Sequence, residues 1–310
     1  MIPFEYRTPK NLKEVHATLK EFGSDAKLMA GGTSLIIMMK QRLVRPSCLV
    51  SLRSVRGLDS IEIKDGGVRI GGLATHRQVE SSPLLRRRLP LLTETYHHVA
   101  TIRVRNMATV GGGLAHADPN QDPPPSLIAL EATVNATSAD GSRVIPLDDF
   151  FTDYYETVLK PDEIVTEVFV PKMSANSAGA YLKFLPRTAD DYATVSAAAV
   201  LTLDKTHKTI TDVRIALGSV GVTPIRATAA EALLRGQPVK TEAFAEAGEK
   251  AKEAVDPVSD FRGSAAYKKE MAGVFVRRAL EKAWANIRQQ ARAKATPKVA
   301  KKAAKKGKKR

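Results

Sequence analysis

The chain has 310 residues, 43% hydrophobic and 26% charged, the balance of a soluble globular protein with room for two or three cores, which excludes a disordered or fibrous chain. Its longest apolar stretches, residues 34–39 and 196–203, fall far short of the roughly 20 residues that a membrane-spanning helix needs. The formal charge of +15 sits mostly at one end, because residues 291–310 hold eight Lys, two Arg and no acid, which leaves +5 on the other 290. That tail has no apolar face and is expected to be a disordered extension, while the mildly basic body is not expected to bind nucleic acid. The opening Met1-Ile2-Pro3-Phe4-Glu5 lacks the features of an export signal, so a cytoplasmic location is expected. Cys48 is the single cysteine, which excludes an internal disulfide, a zinc finger and a cysteine-ligated iron–sulfur cluster held by this chain alone.

The predicted elements begin with a helical pattern, Leu12, Val15, Leu19 and Phe22, closed by Gly23 and followed by a short apolar strand over residues 27–30. Gly31-Gly32 breaks that strand, and Thr33 or Ser34 is placed to cap a helix over 35–39 that Pro46 stops. Residues 48–52 read as a returning strand, which makes a β-turn-α-β crossover over about residues 26–53. From Leu58 the pattern alternates through Ile61, Ile63, Gly66-Gly67, Val68 and Ile70, as a hairpin does. Helical text over 75–100 leads to the glycine run at 111–113, and a Pro-rich loop over 119–125 precedes a helix over 126–132. Residues 133–145 turn at Asp140-Gly141 as a second hairpin, residues 164–170 form a strand before Pro171, and 174–179 has the composition of a linker. Strands at 181–185, 193–203 and 210–218 then precede helices near 226–235, 241–255 and 264–290, an α+β order. The last helix repeats Tyr267, Met271, Val274, Phe275, Arg278, Ala279, Lys282 and Ala283 at three- and four-residue spacings, a stripe expected in the core.

Two glycine clusters 80 positions apart dominate the chemistry: Ala30-Gly31-Gly32-Thr33-Ser34 and Thr109-Val110-Gly111-Gly112-Gly113. Glycine lets amide hydrogens approach an oxyanion without a Cβ in the way, and a following helix start adds partial positive charge, so both clusters suit a diphosphate. Paired glycines also serve as plain turns. His116 with Asp118, and His97-His98, have no second cluster at metal-ligating spacing and read as structural. Asp148-Asp149 reads as turn residues, and no side chain presents itself as a catalytic residue that breaks substrate bonds.

Residues 26–42, AKLMAGGTSLIIMMKQR, and 108–130, ATVGGGLAHADPNQDPPPSLIAL, resemble the two flavin-binding signatures of the medium subunit of molybdenum hydroxylases, the family of carbon monoxide dehydrogenase and xanthine dehydrogenase. Further matches are Leu147 to Phe151, Asp162 to Thr166 with Pro171, Tyr181 to Lys183 with Arg187 and Asp191, and Ala216 to Gly218 with Pro224 and Arg226. The resemblance covers about residues 1–286. It implies an α+β chain: a two-lobed PCMH-type FAD-binding domain, of the kind found in vanillyl-alcohol oxidase, over 1–173 with lobes near 1–55 and 56–173. An α+β C-terminal domain of antiparallel sheet and helices over 178–288 and the basic tail over 291–310 complete it.

By this resemblance FAD lies extended between the lobes, with Lys27, Leu28, Met29, Ala30, Gly31, Gly32, Thr33 and Ser34 from the first signature, and Thr109, Val110, Gly111, Gly112 and Gly113 from the second, at its diphosphate and ribityl chain. The family often has Asn where this chain has Gly113. Asp122 maps toward the nucleotide end, its carboxylate set to accept from ribose or adenine, with a helix cap as the alternative. Ile164 implies a backbone or apolar contact, or a core strand residue. Lys183 maps beside the pyrimidine edge of the flavin, or is a solvated strand residue, and Tyr192 maps over one ring face, or is a buried strand aromatic.

The resemblance implies an electron-transfer subunit. A large partner carries the molybdenum cofactor, a small partner carries two [2Fe–2S] clusters, and FAD in this chain passes electrons to NAD, quinone or oxygen. Assembly as a dimer of heterotrimers is expected. The single cysteine agrees with clusters on another polypeptide and argues against the reductase branch that holds an extra [4Fe–4S] cluster in this subunit. The alternatives are a stand-alone flavin oxidase of the vanillyl-alcohol oxidase type, a scaffold subunit that has lost FAD, and a nucleic-acid-binding protein acting through its tail.

Overall fold

The computed structural model describes residues 2–185, 187–188 and 192–295, the side chains of 294 and 295 excepted. Asp191 and tail residues 296–310 lie outside the described residues. Five elements make the first lobe: β1 (Glu5–Arg7), α1 (Leu12–Phe22), β2 (Ala26–Met29), α2 (Leu35–Lys40) and β3 (Cys48–Ser51). Asn11 starts α1 by accepting from the Glu14 N–H at 3.0 Å, and Gly23 ends it with φ 54°. The buried face of α1, Val15 and Leu19, packs on Cys48 and Val50 of β3. β3 lies parallel between β1 and β2, so the crossover is as the pattern implies, while β1, which the pattern does not predict, is added at its far edge. Two details of α2 are corrected. Ser34 stands at its N-cap without a side-chain cap bond, and the helix stops at Lys40, well before Pro46, where Arg42 takes φ 63°.

The second lobe contains β4 (Ile61–Lys64), β5 (Gly67–Gly71), the helices α3 (His76–Ser81), α4 (Pro83–Arg88), α5 (Pro90–His97), α6 (Ile102–Met107), α7 (Val110–His116) and α8 (Pro123–Ala129), then β6 (Thr133–Ser138), β7 (Gly141–Pro146), β8 (Phe151–Asp153), β9 (Glu156–Thr157) and β10 (Ile164–Val170). β4, β5, β10, β6 and β7 pair antiparallel in that order. The first hairpin turns at Asp65 and Gly66, one residue before the expected Gly66-Gly67, with φ 49° and 79°, the left-handed pair that matches strand twist, and Gly67 already belongs to β5. One expected loop and one expected turn are helical. The glycine run at 111–113 lies inside α7, capped by Thr109, and α8 begins within the Pro-rich segment at Pro123, since prolines in a first turn forgo N–H groups that would be unpaired anyway.

The C-terminal domain comprises β11 (Ser177–Phe184), β12 (Val195–Leu203), β13 (Ile210–Gly218), β14 (Ile225–Arg226), α9 (Thr228–Leu234), α10 (Thr241–Ala251) and α11 (Ala265–Ala295). Its antiparallel sheet runs β11-β12-β13-β14, and β11 starts inside the segment expected as linker. Both sheet faces are covered. Ala197, Ala199 and Leu201 join a core with α9, α10 and α11, whereas the alternate residues Ala198 and Val200 join the core of the second lobe. The buried stripe of α11 runs through Ala272, Val276, Ala279, Leu280, Ala283 and Ile287, so the expected stripe is partly off face: Tyr267 is 45% exposed and Lys282 pairs with Glu94. α11 also continues through residues 291–295, the start of the segment expected to be disordered. Among the described residues no helix is long and apolar enough to cross a membrane.

Candidate functional site

A cleft of about 580 Å³ opens where the first lobe faces the second, with Lys183 and Tyr192 of the C-terminal domain in its wall. Residues 27–34, Thr109, Gly111, Gly112, Gly113, Asp122, Ile164, Lys183 and Tyr192 all line it. Val110 does not: it points into the second-lobe core and is 1% exposed.

The two glycine segments are chemically unlike. After β2 the chain turns through Gly31 and Gly32 into α2, and Gly32 takes φ 71°. Gly31 has no space for a side chain, since a Cβ there would stand 2.0 Å from the Met107 carbonyl oxygen. The N–H groups of Gly31, Gly32, Thr33 and Ser34 have no acceptor among the described residues, and all four residues are half-buried at the cleft wall. In the second segment the amides are already used. Val110 donates to the Ala74 carbonyl at 2.9 Å, Gly111 to that of Gly72 at 2.8 Å, Gly112 to Thr109 Oγ1 at 3.1 Å and Gly113 to the Thr109 carbonyl at 2.9 Å. Of the two segments expected to offer amides to a diphosphate, the first therefore has free N–H groups to offer, and the second, its amides engaged, is a wall of bare backbone. A Cβ on Gly111 would sit 2.8 Å from the Gly72 oxygen, and one on Gly112 would sit 3.3 Å from Ala30 Cβ, so glycine here serves close packing.

Asp122 is 5% exposed and stands at the N-cap position of α8 without capping it. Its Oδ1 accepts from the Tyr181 hydroxyl at 2.6 Å and its Oδ2 from Lys183 Nζ at 2.9 Å, and Lys183 also donates to the His98 carbonyl at 3.0 Å. The separate roles implied for Asp122 and Lys183, at opposite ends of an extended dinucleotide, are incompatible with this contact, because the two groups form one buried pair. The helix-cap and solvated alternatives for them fail as well. Burial lifts the Asp122 carboxyl above its usual range against the pull of Lys183 and Tyr181, and burial together with Asp122 raises the Tyr181 phenol, which stays a donor.

Tyr192 is 45% exposed and lies outside the strands, so it is no buried strand aromatic. Its hydroxyl donates to Asp118 Oδ2 at 2.8 Å, and the Arg262 guanidinium lies 5.6 Å from its ring centre. Ile164, at the start of β10, both lines the cleft and packs in the first-lobe core.

Sequence reasoning passes over Gly72, His76, Gln121 and Tyr155, which also line the cleft. A Cβ on Gly72 would meet the Val165 oxygen at 2.1 Å, a packing need that the Gly71-Gly72 pair signals. Burial pushes His76 down to about 4, so the ring is neutral and its Nε2 faces the Thr109 carbonyl at 3.2 Å. His116, set aside as a metal ligand, lies against Tyr155 with ring centres 5.1 Å apart and the planes tilted by 47°, and Asp118 is the acceptor for Tyr192. Among the described residues no three His, Cys, Asp or Glu side chains group as a metal site.

An anionic group with several acceptor oxygens matches the four unpaired amides, and the apolar wall of Leu28, Met29, Leu35, Ile37 and Val165 matches a fused aromatic ring, so the residues present fit FAD. Comparison with known proteins agrees. Residues 2–173 match the FAD binding domain in molybdopterin dehydrogenase, and residues 180–283 match the CO dehydrogenase flavoprotein C-terminal domain. The carbon monoxide dehydrogenase medium chain of Hydrogenophaga pseudoflava is 39% identical, over 92% of this chain and 99% of that one. The medium chain of Afipia carboxidovorans is 37% identical over 93% and 100%. In the solved carbon monoxide dehydrogenase from Hydrogenophaga pseudoflava that lacks the Mo-pyranopterin moiety of its molybdenum cofactor, a chain superposes with a TM-score of 0.88 at 41% identity, covering 92% of this chain and 99% of that chain. This oxidoreductase chain, with its two-lobed flavin domain and α+β C-terminal domain, belongs to the FAD-binding medium subunits of the molybdenum hydroxylases.

Proposed function

We propose that the chain is the electron relay of a molybdenum hydroxylase, receiving electrons from the [2Fe–2S] clusters of a small partner subunit, which a large molybdenum subunit feeds, and delivering them to NAD, quinone or oxygen. The observation that carries this reading is the row of unpaired N–H groups on Gly31, Gly32, Thr33 and Ser34 in a cleft whose facing wall is closed backbone. Bound there, FAD supplies the redox chemistry, accepting electrons singly and releasing them in pairs.

The chain's own residues have positioning tasks. The amides of residues 31–34 hold a diphosphate without bringing a countercharge, and Lys27, at the exposed end of the same segment, adds one. Gly111 and Gly112 let the second segment pack against Gly72 and Ala30, Gly113 presents bare backbone beside Gln121 and His76, and Thr109 closes the turn through its hydroxyl. The Lys183 ammonium, fixed by Asp122 and the His98 carbonyl, stabilises negative charge that gathers on a ring beside it. Tyr192, tied to Asp118, is suited to covering one ring face at the cleft mouth. Cys48 is 0% exposed within the first-lobe core, which supports placing the clusters on another polypeptide.

Purification from its own cells tests the reading: molybdenum, iron, flavin and two further chains are expected in one cytoplasmic particle, built as a dimer of heterotrimers. Substrate added to that particle is expected to bleach the flavin absorbance, and removal of the cluster-bearing chain to abolish the bleaching. A full chain that stays colourless after refolding with excess FAD would falsify the proposal.

A further inference from the structure

Among the described residues, two buried nitrogens of the cleft wall lack a hydrogen-bond partner, His76 Nδ1 and Gln121 Nε2. Gln121 is half-buried there, and its Nε2 is buried without a hydrogen-bond partner among the described residues. Its Oε1 stands 3.3 Å from the point that a Gly113 Cβ would occupy. The turn that delivers this carboxamide is fixed on both sides. The Gln121 N–H donates to the Asp118 carbonyl at 3.2 Å, and the Asn120 N–H to Asp118 Oδ1 at 2.9 Å. Next along the chain, Asp122 is locked in its pair with Lys183, and Pro123 starts α8. His76 approaches the same point with its Nε2 at 3.4 Å, but that nitrogen is engaged with the Thr109 carbonyl. A buried amide nitrogen without an acceptor is destabilising, and folded proteins keep such groups where a ligand or an ordered water completes them.

We infer that Gln121 is a ligand-binding residue whose carboxamide hydrogen-bonds a hydroxyl of the polyol chain of a bound flavin nucleotide, opposite the bare face of Gly113. The inference rests on the FAD reading of the cleft and adds to it a contact that the glycine signatures do not contain. The chemistry selects a hydroxyl. A carboxamide presents a donor or an acceptor by a half-turn of its last bond, and a hydroxyl accepts either. A phosphate oxygen offers acceptors alone and is disfavoured by the Asp118 carboxylate three residues before Gln121, whereas the unpaired amides at residues 31–34 suit it.

The test uses the full apo chain, titrated by quenching of flavin fluorescence with FAD and with an FAD analogue whose ribityl hydroxyls are replaced by hydrogen. Gln121→Met, which keeps length and removes hydrogen bonding, is expected to weaken FAD about ten-fold, the size of one net hydrogen bond. The analogue is expected to bind wild type and variant alike. The thermal midpoint of the apo variant should be no lower than that of wild type, because the substitution removes an unpaired amide; a purely structural Gln121 would lower it. Gly113→Ala, which keeps Gln121 but sets a methyl 3.3 Å from its Oε1, provides a second reading and should likewise weaken FAD more than the analogue. Equal FAD affinity in wild type and Gln121→Met overturns the inference alone, as does an equal loss with the analogue. Failure of wild type to bind FAD overturns the cofactor reading and the inference with it.

Discussion

Replacing Gly31 with alanine probes the seam between the lobes. The new Cβ would stand 2.0 Å from the Met107 carbonyl oxygen, 2.7 Å from its carbon and 2.9 Å from Ala108 Cα. Ordinary contact begins at 3.4 Å, so the opposing segment would have to retreat by about 1.4 Å. Every atom in the way is backbone. Residue 108 is pinned by its N–H on the Val104 carbonyl at 2.8 Å and by its own carbonyl accepting from His76 N–H at 2.9 Å. No side chain can swing aside, so the penalty should reach or exceed the upper end of ordinary overpacking, about 3 kcal/mol, and appear as parted lobes. Urea unfolding of the apo protein should show that loss, and FAD affinity should fall by about 100-fold or more as the cleft widens. Gly23→Ala is the control: its φ of 54° with ψ −130° makes alanine unfavourable by about 1–3 kcal/mol, but nothing lies within 4 Å, and FAD binding should be untouched. A Gly31→Ala protein with wild-type unfolding midpoint and FAD affinity would refute the close approach of the two segments.

Lys183→Met strands the Asp122 carboxylate in a buried site with Tyr181 as its remaining side-chain partner, and should lower stability by about 3–5 kcal/mol in denaturant titrations, most of it restored by adding Asp122→Asn. In FAD-loaded Lys183→Met the flavin reduction potential should fall; an unchanged potential by spectroelectrochemistry removes the tuning role of this lysine. His76, ordinarily titrating at 6.5 and pushed down to about 4 by burial, contributes stability that is complete above pH 6.5 and is lost as pH falls through 4. The loss amounts to about 3 kcal/mol, and His76→Gln should flatten that limb of the stability–pH curve. Arg226 bridges the domains, reaching Asp148 at 2.7 Å and Glu231 at 2.9 Å. Arg226→Ala, which deprives the 1%-exposed Glu231 of a partner, should lower stability by about 2 kcal/mol, whereas Asp148→Asn at the more open end should change it by less than about 1 kcal/mol.

Much of the fold is legible where a local rule and the tertiary structure agree. A hairpin between residues 61 and 70, the crossover through residues 26–51 and the strand-then-helix order after residue 177 follow from alternation and helical spacing, although the hairpin turns one residue before the expected Gly66-Gly67. The misreadings have local causes. β1 is three residues, Glu-Tyr-Arg, with no apolar alternation, and exists because β3 has an edge to pair. The run at 111–113 reads as a turn ahead of a helix because glycine is a poor helix former, yet Thr109 caps it and Gly72 packs against it, and the run lies inside the helix. On α11 the long stems of Arg278 and Lys282 mimic core spacing while the buried stripe is carried by smaller neighbours one position away. The cleft is marked in sequence by its glycines, but its polar partnerships are not. Asp122 meets Lys183 across 61 positions, and Tyr192 meets Asp118 across 74, distances over which no periodicity reports.

The unlike chemistry of the glycine segments has a mechanical consequence. A ligand gripped by a row of free amides on one lobe and met by saturated backbone with a single free carboxamide on the other is fastened asymmetrically. When the halves separate, it should travel with the crossover side. On the opposite surface the glycine amides are already engaged, so that side offers few bonds of its own to break, and release should follow rotation of whole bodies about the seam.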